Sequence, residues 1–250
     1  MLFKKLLKQS LHIAHCTLHI YKEGQDINKM TYSICIFDLD GTLINSLDDL
    51  ADSCNAALQN HGMPTHPVQE YRYLVGSGIK NLIKRSLGVK ADNEQLVVSV
   101  FNDFNRIYSE NCLNKTKPYD GIIKLTEKLK SHSIKLCILS NKSDDFTHRI
   151  VDTLFPKDTF DIVWGKREQY PIKPSPEALL AMLMQAGEKP DNCLYIGDSD
   201  VDVMTARNAQ TSFCGVSWGF RCEEELKGAG AKAIAHTPDD IIKEVIKNEQ

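Results

Sequence analysis

Two aspartates one residue apart, Asp38 and Asp40, follow a short apolar run at residues 33–37. The run is too short for a helix and is bounded by turn formers, so it predicts a buried parallel strand. In an open parallel sheet, ligands bind just beyond the carboxyl ends of the strands, where Gly41 lets the backbone turn away. Two crowded carboxylates need a cation or a shared proton to relieve their repulsion. The spacing therefore predicts a site of carboxylate chemistry, with a plain strand-to-turn junction as the alternative.

Three later segments place polar groups beside further predicted strands. A second apolar run ends in Ser140 and Asn141, and a third ends in an acidic segment that contains Asp198 and Asp202. Between them, Lys173 stands in a Lys-Pro-Ser-Pro-Glu segment whose prolines predict the start of a helix. Each segment alone has an ordinary explanation as a turn, a cap or a loop. The four in this order indicate one composite site at the carboxyl edge of a sheet.

These four segments resemble the four-motif signature of the haloacid dehalogenase superfamily. They read Asp-Leu-Asp-Gly-Thr, Leu-Ser-Asn, Lys-Pro-Ser-Pro-Glu and Gly-Asp-Ser-Asp-Val-Asp. The resemblance extends from about Met30 to near the C-terminus. Residues 118–121 and the stretch 215–231 are similar to the phosphoglycolate phosphatase-like branch of that superfamily.

The resemblance implies an α/β fold, a doubly wound (Rossmann-like) parallel sheet core with an inserted all-helical cap domain. It assigns residues 30–45 and 117–250 to the catalytic core and residues 46–116 to the cap. The apolar pattern agrees, because the core alternates helix and strand while the cap carries helical periodicity. We expect residues 1–29 to be a poorly ordered, dispensable N-terminal extension, with a basic amphipathic surface helix as the alternative.

The resemblance also implies a role for each residue of the composite site. Asp38 is the expected nucleophile, which forms an aspartyl-phosphate and splits one difficult displacement into two easier ones. Asp40 is the expected general acid and base. Ser140 donates its hydroxyl to a phosphoryl oxygen, and Lys173 neutralises charge on the phosphoryl group and the nucleophile. Asn141 is expected to support these groups.

Magnesium is the expected cofactor. It favours oxygen ligands and is usually held by one or two carboxylates together with substrate phosphate. The resemblance makes Asp38 and Asp198 side-chain ligands and gives Asp40 a contact through its backbone carbonyl. Asp202 would hold a metal-bound water or orient Lys173. The His and Cys residues of the sequence lack zinc-site spacing, which argues against zinc.

Candidate substrate contacts come from the loop after the first strand and from the cap. They are Gly41, Thr42, Gly76, Ser77, Gly78 and Lys80. The Gly-Ser-Gly segment precedes a predicted helix, so its backbone N–H groups could meet an anion, with a plain helix start as the alternative. Lys80 and Arg85 are candidate partners for a substrate carboxylate. Gln210 stands where relatives end a helix with glycine, so it must tolerate a left-handed conformation or end the helix otherwise.

Several functions share these residues. The leading hypothesis is a magnesium-dependent phosphatase acting on a small phosphomonoester, with 2-phosphoglycolate as the first candidate. A phosphomutase of the β-phosphoglucomutase type would use the same residues, and pyrophosphate, nucleotides and sugar phosphates remain open as substrates. A non-catalytic scaffold on the same fold is disfavoured because every catalytic residue type is present. A haloalkanoate dehalogenase is disfavoured because it does not need the acid Asp40.

Composition agrees with a globular enzyme. The 250 residues are 42% hydrophobic and 25% charged, which suits a sizeable core with an inserted second domain. The formal charge of −3 gives no reason to expect a nucleic acid or an anionic membrane as partner. The 8 cysteines show no Cys-x-x-Cys pairing. They indicate free thiols in a reducing, cytoplasmic setting. We expect the protein to be a monomer or a homodimer. We expect it to bind a small phosphorylated metabolite.

Overall fold

A six-stranded, all-parallel sheet forms the centre of the computed structural model, which describes residues 29–247. Its strand order is β6-β5-β2-β7-β8-β9. These strands are β2 (Ile34–Phe37), β5 (Lys135–Ser143), β6 (Ile162–Lys166), β7 (Cys193–Gly197), β8 (Ser212–Val216) and β9 (Ala233–Ala235). Four shorter strands form two antiparallel pairs, namely β1 (Lys29–Met30) with β10 (Ile246–Lys247) and β3 (Ile44–Asn45) with β4 (Lys117–Pro118). The interpretation of residues 1–29 falls almost wholly outside the described residues.

Ten α-helices accompany these strands in the described part of the chain. They are α1 (Leu47–Asn60), α2 (Tyr71–Leu74), α3 (Ile79–Leu87), α4 (Glu94–Asn111), α5 (Ile122–Ser131), α6 (Asp144–Leu154), α7 (Glu177–Ala186), α8 (Asp200–Ala209), α9 (Glu223–Ala229) and α10 (Pro238–Val245). Short 3₁₀ turns lie at Val68–Glu70, Gly88–Asp92 and Pro190–Asn192. Elements from α1 to α4 are all helical, whereas strands and helices alternate after β4.

Apolar packing covers both faces of the sheet. Cys35 and Phe37 of β2 belong to one hydrophobic cluster, which includes side chains of α5, α6 and α10. Ile34 and Ile36 belong to the other, which includes side chains of α7 and α8. This alternation follows from the period of two along a strand, and it explains why the run is apolar throughout. The α/β doubly wound sheet with a helical insertion is therefore confirmed.

The helical insertion is joined to the sheet by two neighbouring linkers. In the pair β3–β4, Ile44 lies opposite Pro118 and Asn45 opposite Lys117. Asp49 at the start of α1 is only 2% exposed, and it accepts hydrogen bonds from the backbone N–H and the hydroxyl of Thr116 (2.8 and 2.7 Å). The chain thus leaves and re-enters the core at one place, with a buried carboxylate fixing the return.

The helix predicted to start at the Lys-Pro-Ser-Pro-Glu segment is α7, which begins at Glu177. Strand β5 continues through Ser140 and Asn141 to Ser143, with a register shift between Leu139 and Ser143. Gln210 has a φ of 59°, so of the two predicted alternatives it ends α8 in the left-handed conformation.

The described cysteines are free thiols, and six of them are buried. Cys35, Cys137, Cys193 and Cys214 all lie in buried strands, as predicted, where a thiol packs as a small hydrophobe. Among the described helices, none has the length and apolar character needed to cross a membrane.

Candidate active site

Asp38 lies at the carboxyl end of β2 and lines a cavity between the sheet edge and the helical insertion. Its Oδ1 accepts hydrogen bonds from the backbone N–H of Leu39 (2.7 Å) and from Nζ of Lys173 (2.9 Å). Burial raises the pKa of Asp38, and the Lys173 ammonium acts in the opposite direction. The carboxylate is therefore held at the cavity wall, with a compensating cation on one side.

Lys173 is a fixed cation behind the nucleophile position. Its side chain is only 3% exposed, and Nζ contacts Asp38, Oδ1 of Asp202 (2.7 Å) and the hydroxyl of Tyr195 (3.0 Å). Burial alone lowers the pKa of Lys173, but the carboxylates of Asp202 and Asp38 outweigh it and raise that pKa well above its usual value. Lys173 thus stays protonated beside Asp38.

Asp202 has both carboxylate oxygens occupied by protein donors. Its Oδ1 accepts from Lys173 and from the hydroxyl of Tyr195 (3.2 Å). Its Oδ2 accepts from the backbone N–H and the hydroxyl of Ser199 (3.2 and 2.6 Å), which forms a capping box at the start of α8. Of its two expected roles, orienting Lys173 is the one that these contacts favour.

Asp198 at the end of β7 is enclosed by the backbone around it. Its Oδ1 accepts from the hydroxyl of Thr42 (3.2 Å), and its Oδ2 accepts from the backbone N–H of Phe220 (2.7 Å). A Cβ added to Gly41 or to Gly219 would lie 2.2 Å from an atom of the Asp198 side chain. Burial, followed by the neighbouring Asp202 carboxylate, raises the pKa of Asp198 to about 7. The two glycines therefore make room for the buried Asp198 carboxylate.

These aspartates form a donor set that fits a divalent cation. One carboxylate oxygen from each of Asp38, Asp198 and Asp202 lies within 4.8 Å of the others, and all three residues are buried. Crowded, desolvated carboxylates are unfavourable unless a cation compensates them, and hard oxygen donors suit Mg²⁺. Because Asp202 is occupied, Asp38 and Asp198 are the side chains suited to direct contact.

Asp40 is held by two groups that do not belong to the Asp38–Lys173 pair. Its Oδ1 accepts from the hydroxyl of Ser46 (2.5 Å), and its Oδ2 lies 3.0 Å from Nζ of Lys142. Asp40 and Lys142 both line the cavity that contains Asp38. The two aspartates of the first motif thus have separate cationic partners.

Ser140 and Asn141 lie in β5, on the neighbouring strand. Both line the cavity, and Oγ of Ser140 accepts a hydrogen bond from the backbone N–H of Lys142 (3.2 Å). Asn141 Oδ1 accepts from the backbone N–H of Lys173 (2.9 Å), and its Nδ2 donates to the carbonyls of Lys173 and Gly76 (3.1 and 3.0 Å). Asn141 therefore fixes the lysine segment and ties it to the helical insertion.

Sequence and structure comparisons identify the family. A family model for haloacid dehalogenase-like hydrolases matches residues 35–216. The chain belongs to this family. A phosphoglycolate phosphatase from Aquifex aeolicus is 33% identical over 210 residues, which cover 84% of this chain and 95% of that protein. A phosphoglycolate phosphatase from Caulobacter vibrioides is 29% identical over 224 residues, or 88% of this chain and 92% of that protein. A solved structure from Lactobacillus delbrueckii subsp. bulgaricus has a TM-score of 0.82 at 30% identity and covers 87% of this chain and 100% of that one.

The candidate cap contacts of this haloacid dehalogenase-like hydrolase lie at different distances from the cavity. Gly76 and Gly78 line it. Ser77 turns its hydroxyl to Arg85 (3.1 Å) instead. Lys80 is mostly exposed and pairs with Glu94 (2.8 Å). Neither Lys80 nor Arg85 is among the cavity-lining residues. The structure thus brings the glycine turn to the site but leaves both candidate cations at the surface.

Sequence reasoning overlooked three residues of this haloacid dehalogenase-like site. Arg221 lines the cavity, and its guanidinium lies over the ring of Tyr73 at 5.1 Å from the centroid. Tyr195 holds Lys173, and Lys142 holds Asp40. The only available signal for Lys142 was its place directly after Ser140 and Asn141, and Arg221 stood in a segment interpreted only as a late strand and loop.

Proposed function

We propose that this chain is a magnesium-dependent phosphatase that hydrolyses a small phosphomonoester through an aspartyl-phosphate on Asp38, with 2-phosphoglycolate as the leading substrate. The observation that carries the proposal is the convergence of Asp38, Ser140 and Asp198 on one cavity, with Lys173 2.9 Å behind Asp38. Phosphoryl transfer depends mostly on positioning and charge neutralisation. One nucleophile, one hydroxyl and one buried cation supply both.

In the first step a carboxylate oxygen of Asp38 attacks phosphorus, and the bond between phosphorus and the ester oxygen breaks. We assign the attack to Oδ2, because Oδ1 already accepts from Leu39 and Lys173. Asp40 gives its proton to the departing alkoxide, so the alcohol leaves neutral and Asp40 becomes a carboxylate. Ser140 donates to a phosphoryl oxygen while Lys173 balances negative charge.

In the second step a water oxygen attacks phosphorus, and its proton passes to the Asp40 carboxylate. The bond between phosphorus and Asp38 then breaks, which releases orthophosphate and restores the free Asp38 carboxylate. Asp40 ends the cycle protonated, as it began. Asp38 forms the covalent bond, and Asp40 donates one proton to the leaving alcohol and accepts one from water.

The proposed cofactor is held by the side chains of Asp38 and Asp198, with the backbone carbonyl of Asp40 as a third contact. When bound, Mg²⁺ supplies positive charge to the phosphoryl oxygens and relieves the repulsion between the buried carboxylates. Asp202 keeps Lys173 in place beside them, since its own oxygens are occupied.

The substrate assignment is supported by a cationic side chain that lines the cavity. In 2-phosphoglycolate a single CH2 group separates the carboxylate from the ester oxygen, so the carboxylate needs a partner close to the phosphate site. Arg221 lines the same cavity as Asp38 and Asp198. We propose Arg221, held over Tyr73, as that partner, because a guanidinium binds a carboxylate in a bidentate manner.

A panel of phosphate esters tests the proposal. We expect the purified full-length protein with Mg²⁺ to release orthophosphate, with the highest kcat/KM on 2-phosphoglycolate, and EDTA to abolish the activity. The panel includes a sugar phosphate, a nucleoside monophosphate and pyrophosphate. A higher kcat/KM on one of these would overturn the substrate assignment alone, whereas no release from any ester would overturn the phosphatase itself. Conversion of a sugar 1-phosphate to its 6-phosphate would indicate a mutase.

A further inference from the structure

Lys142 is a buried cation that the two phosphoryl-transfer steps do not use. Its side chain is only 1% exposed, and it lies inside β5 two residues after Ser140. Nζ is 3.0 Å from Oδ2 of Asp40 and 2.9 Å from the hydroxyl of Tyr108. An ammonium removed from water is unfavourable unless such partners compensate it. The Lys142 ammonium is buried despite this desolvation cost, which indicates that it acts on its partner Asp40.

Lys142 and Ser46 together restrain Asp40 at both of its oxygens. The Ser46 hydroxyl contacts Oδ1, and the Lys142 ammonium contacts Oδ2. A carboxylate held at both oxygens cannot rotate freely about its terminal bond. A general acid must place its proton within hydrogen-bond reach of the departing oxygen, so this restraint bears directly on proton transfer.

Tyr108 in turn restrains Lys142, and it comes from the helical insertion. Its ring is 0% exposed, stacks on Phe104 with centroids 5.3 Å apart and meets Phe146 of α6 edge-on at 5.0 Å. Nζ of Lys142 also lies 4.9 Å from the centroid of this ring. The tyrosine is thus fixed between α4 and the core, and it holds the lysine through both its hydroxyl and its ring.

We propose that Lys142, held by Tyr108, is a positioning residue that fixes Asp40 for proton transfer to the leaving group. The proposal rests on the proposed function, in which Asp40 is the general acid and base. The competing role for a cavity-lining ammonium is direct binding of the phosphoryl group, as Lys173 does. The two roles differ in one respect: positioning of the acid matters only when the leaving group needs a proton.

Two esters with different leaving groups separate these roles. An alkyl phosphate such as 2-phosphoglycolate releases a basic alkoxide, whereas 4-nitrophenyl phosphate releases a weakly basic phenolate that needs little protonation. Formation of the aspartyl-phosphate is followed in a single turnover with the full-length protein and Mg²⁺. We expect Lys142→Met to slow the alkyl ester by about tenfold to a hundredfold and the aryl ester by less than about threefold, a part of the general-acid contribution.

Tyr108→Phe tests the same link with less disturbance of the fold. It removes the hydroxyl that contacts Lys142 and keeps the packed ring. We expect a loss of about twofold to fivefold on the alkyl ester and almost none on the aryl ester, because Asp40 still contacts the lysine after its charge-assisted hydrogen bond to the tyrosine is lost. Tyr71→Phe is the matched control, since Tyr71 is an equally buried cap tyrosine whose hydroxyl donates to Asn55 (2.8 Å). It should leave the ratio of the two rates unchanged.

Each outcome decides between the roles. Equal losses on both esters with a raised KM would overturn positioning and assign Lys142 to phosphoryl binding. Unchanged or faster rates in both variants would also overturn it. If Lys142→Met does not fold, the ester ratio of Tyr108→Phe decides alone. Asp40→Asn is measured in parallel. If it slows both esters equally, Asp40 is not the general acid and the proposed function itself fails in that respect. If it slows mainly the alkyl ester while the Lys142 and Tyr108 variants slow both esters equally, only the positioning role of Lys142 is rejected.

Discussion

The two aspartates of the first motif, Asp38 and Asp40, have similar environments built from different parts of the molecule. Asp38 pairs with Lys173, whose ammonium contacts the hydroxyl of Tyr195 on β7. Asp40 pairs with Lys142, whose ammonium contacts the hydroxyl of Tyr108 on α4. Both lysines are almost fully buried, and each contacts one aspartate of the first motif and one tyrosine. We call Asp38, Lys173 and Tyr195 the first set, and Asp40, Lys142 and Tyr108 the second set. The first set lies wholly within the α/β core, whereas the second reaches into the helical insertion.

This difference suggests a division of labour. The proposed nucleophile must keep one geometry through both chemical steps. Asp38 follows β2 and Tyr195 lies on the adjacent β7, while Lys173, in the loop before α7, is held by Asp202, so this set is suited to keep that geometry. The acid acts only while a leaving group or a water molecule is in place. A tyrosine from the helical insertion can therefore make the placement of Asp40 depend on the position of the insertion relative to the core.

The largest expected effect on turnover comes from replacing Asp38, the aspartate of the first set. Asp38→Asn removes the nucleophile and a metal ligand together, so turnover of alkyl and aryl phosphates should cease. A thermal melt should show that the variant folds. Residual activity within about tenfold of the native protein, about 1.4 kcal/mol in barrier, would contradict the covalent mechanism.

The matching change in the second set should be selective. Asp40→Asn should slow aspartyl-phosphate formation from an alkyl phosphate by about 10²-fold to 10⁴-fold, and from 4-nitrophenyl phosphate far less. The rates must come from single turnovers, because Asp40 also acts as base in the second step and would mask the difference in steady state. Equal losses on the two esters would mean that Asp40 serves the metal or the fold.

The aspartate and the lysine of the first set were predicted from the sequence and Tyr195 was not, whereas only Asp40 of the second set was predicted. Asp38, Asp198 and Lys173 stand in motifs that end strands or precede a helix, and the order of parallel strands brings such ends together. Lys142 shows no such pattern, because its partner Tyr108 lies 34 residues away on a helix of the insertion. Tyr108 itself fits an apolar helical stripe, so its hydroxyl gave no separate signal.

Cap residues were the least predictable part of the site. Lys80 and Arg85 were proposed from charge and proximity in sequence to the glycine turn. Their helix α3 turns them outward, where Lys80 pairs with Glu94 and Arg85 contacts the carbonyl of Leu74. Arg221 reaches the cavity from the loop after β8 instead. Which charged residue of a helical insertion faces a site depends on the orientation of its helices, and local periodicity does not determine that orientation.

A smaller effect is expected from crowding the carboxylate pocket of the core. A Cβ at Gly219 would lie 2.2 Å from Cβ of Asp198 and 2.6 Å from the carbonyl oxygen of Gly41, so Gly219→Ala must displace Asp198. We expect the Mg²⁺ concentration for half-maximal activity to rise about tenfold, the lower end for disturbed metal sites. Gly228→Ala is the matched control, because its Cβ would meet nothing within 4 Å. Equal Mg²⁺ requirements in the two variants would exclude Asp198 as a ligand.

The smallest expected effect tests the comparison most directly, because it repeats the Tyr108→Phe change in the other set. Tyr195→Phe removes a hydroxyl that contacts Lys173 (3.0 Å) and Asp202 (3.2 Å), while Asp202 still holds the lysine at 2.7 Å. Hydrogen bonds to charged groups contribute about 1.5–3 kcal/mol, but Asp202 keeps Lys173 in place, so we expect only part of that loss in catalysis, a fall of about fivefold in single-turnover rates. Lys173 neutralises charge on the phosphoryl group whatever the leaving group is, so the alkyl and aryl esters should lose the same factor. A loss confined to the alkyl ester would mean that Lys173 also serves proton transfer, and the two sets would then share one function.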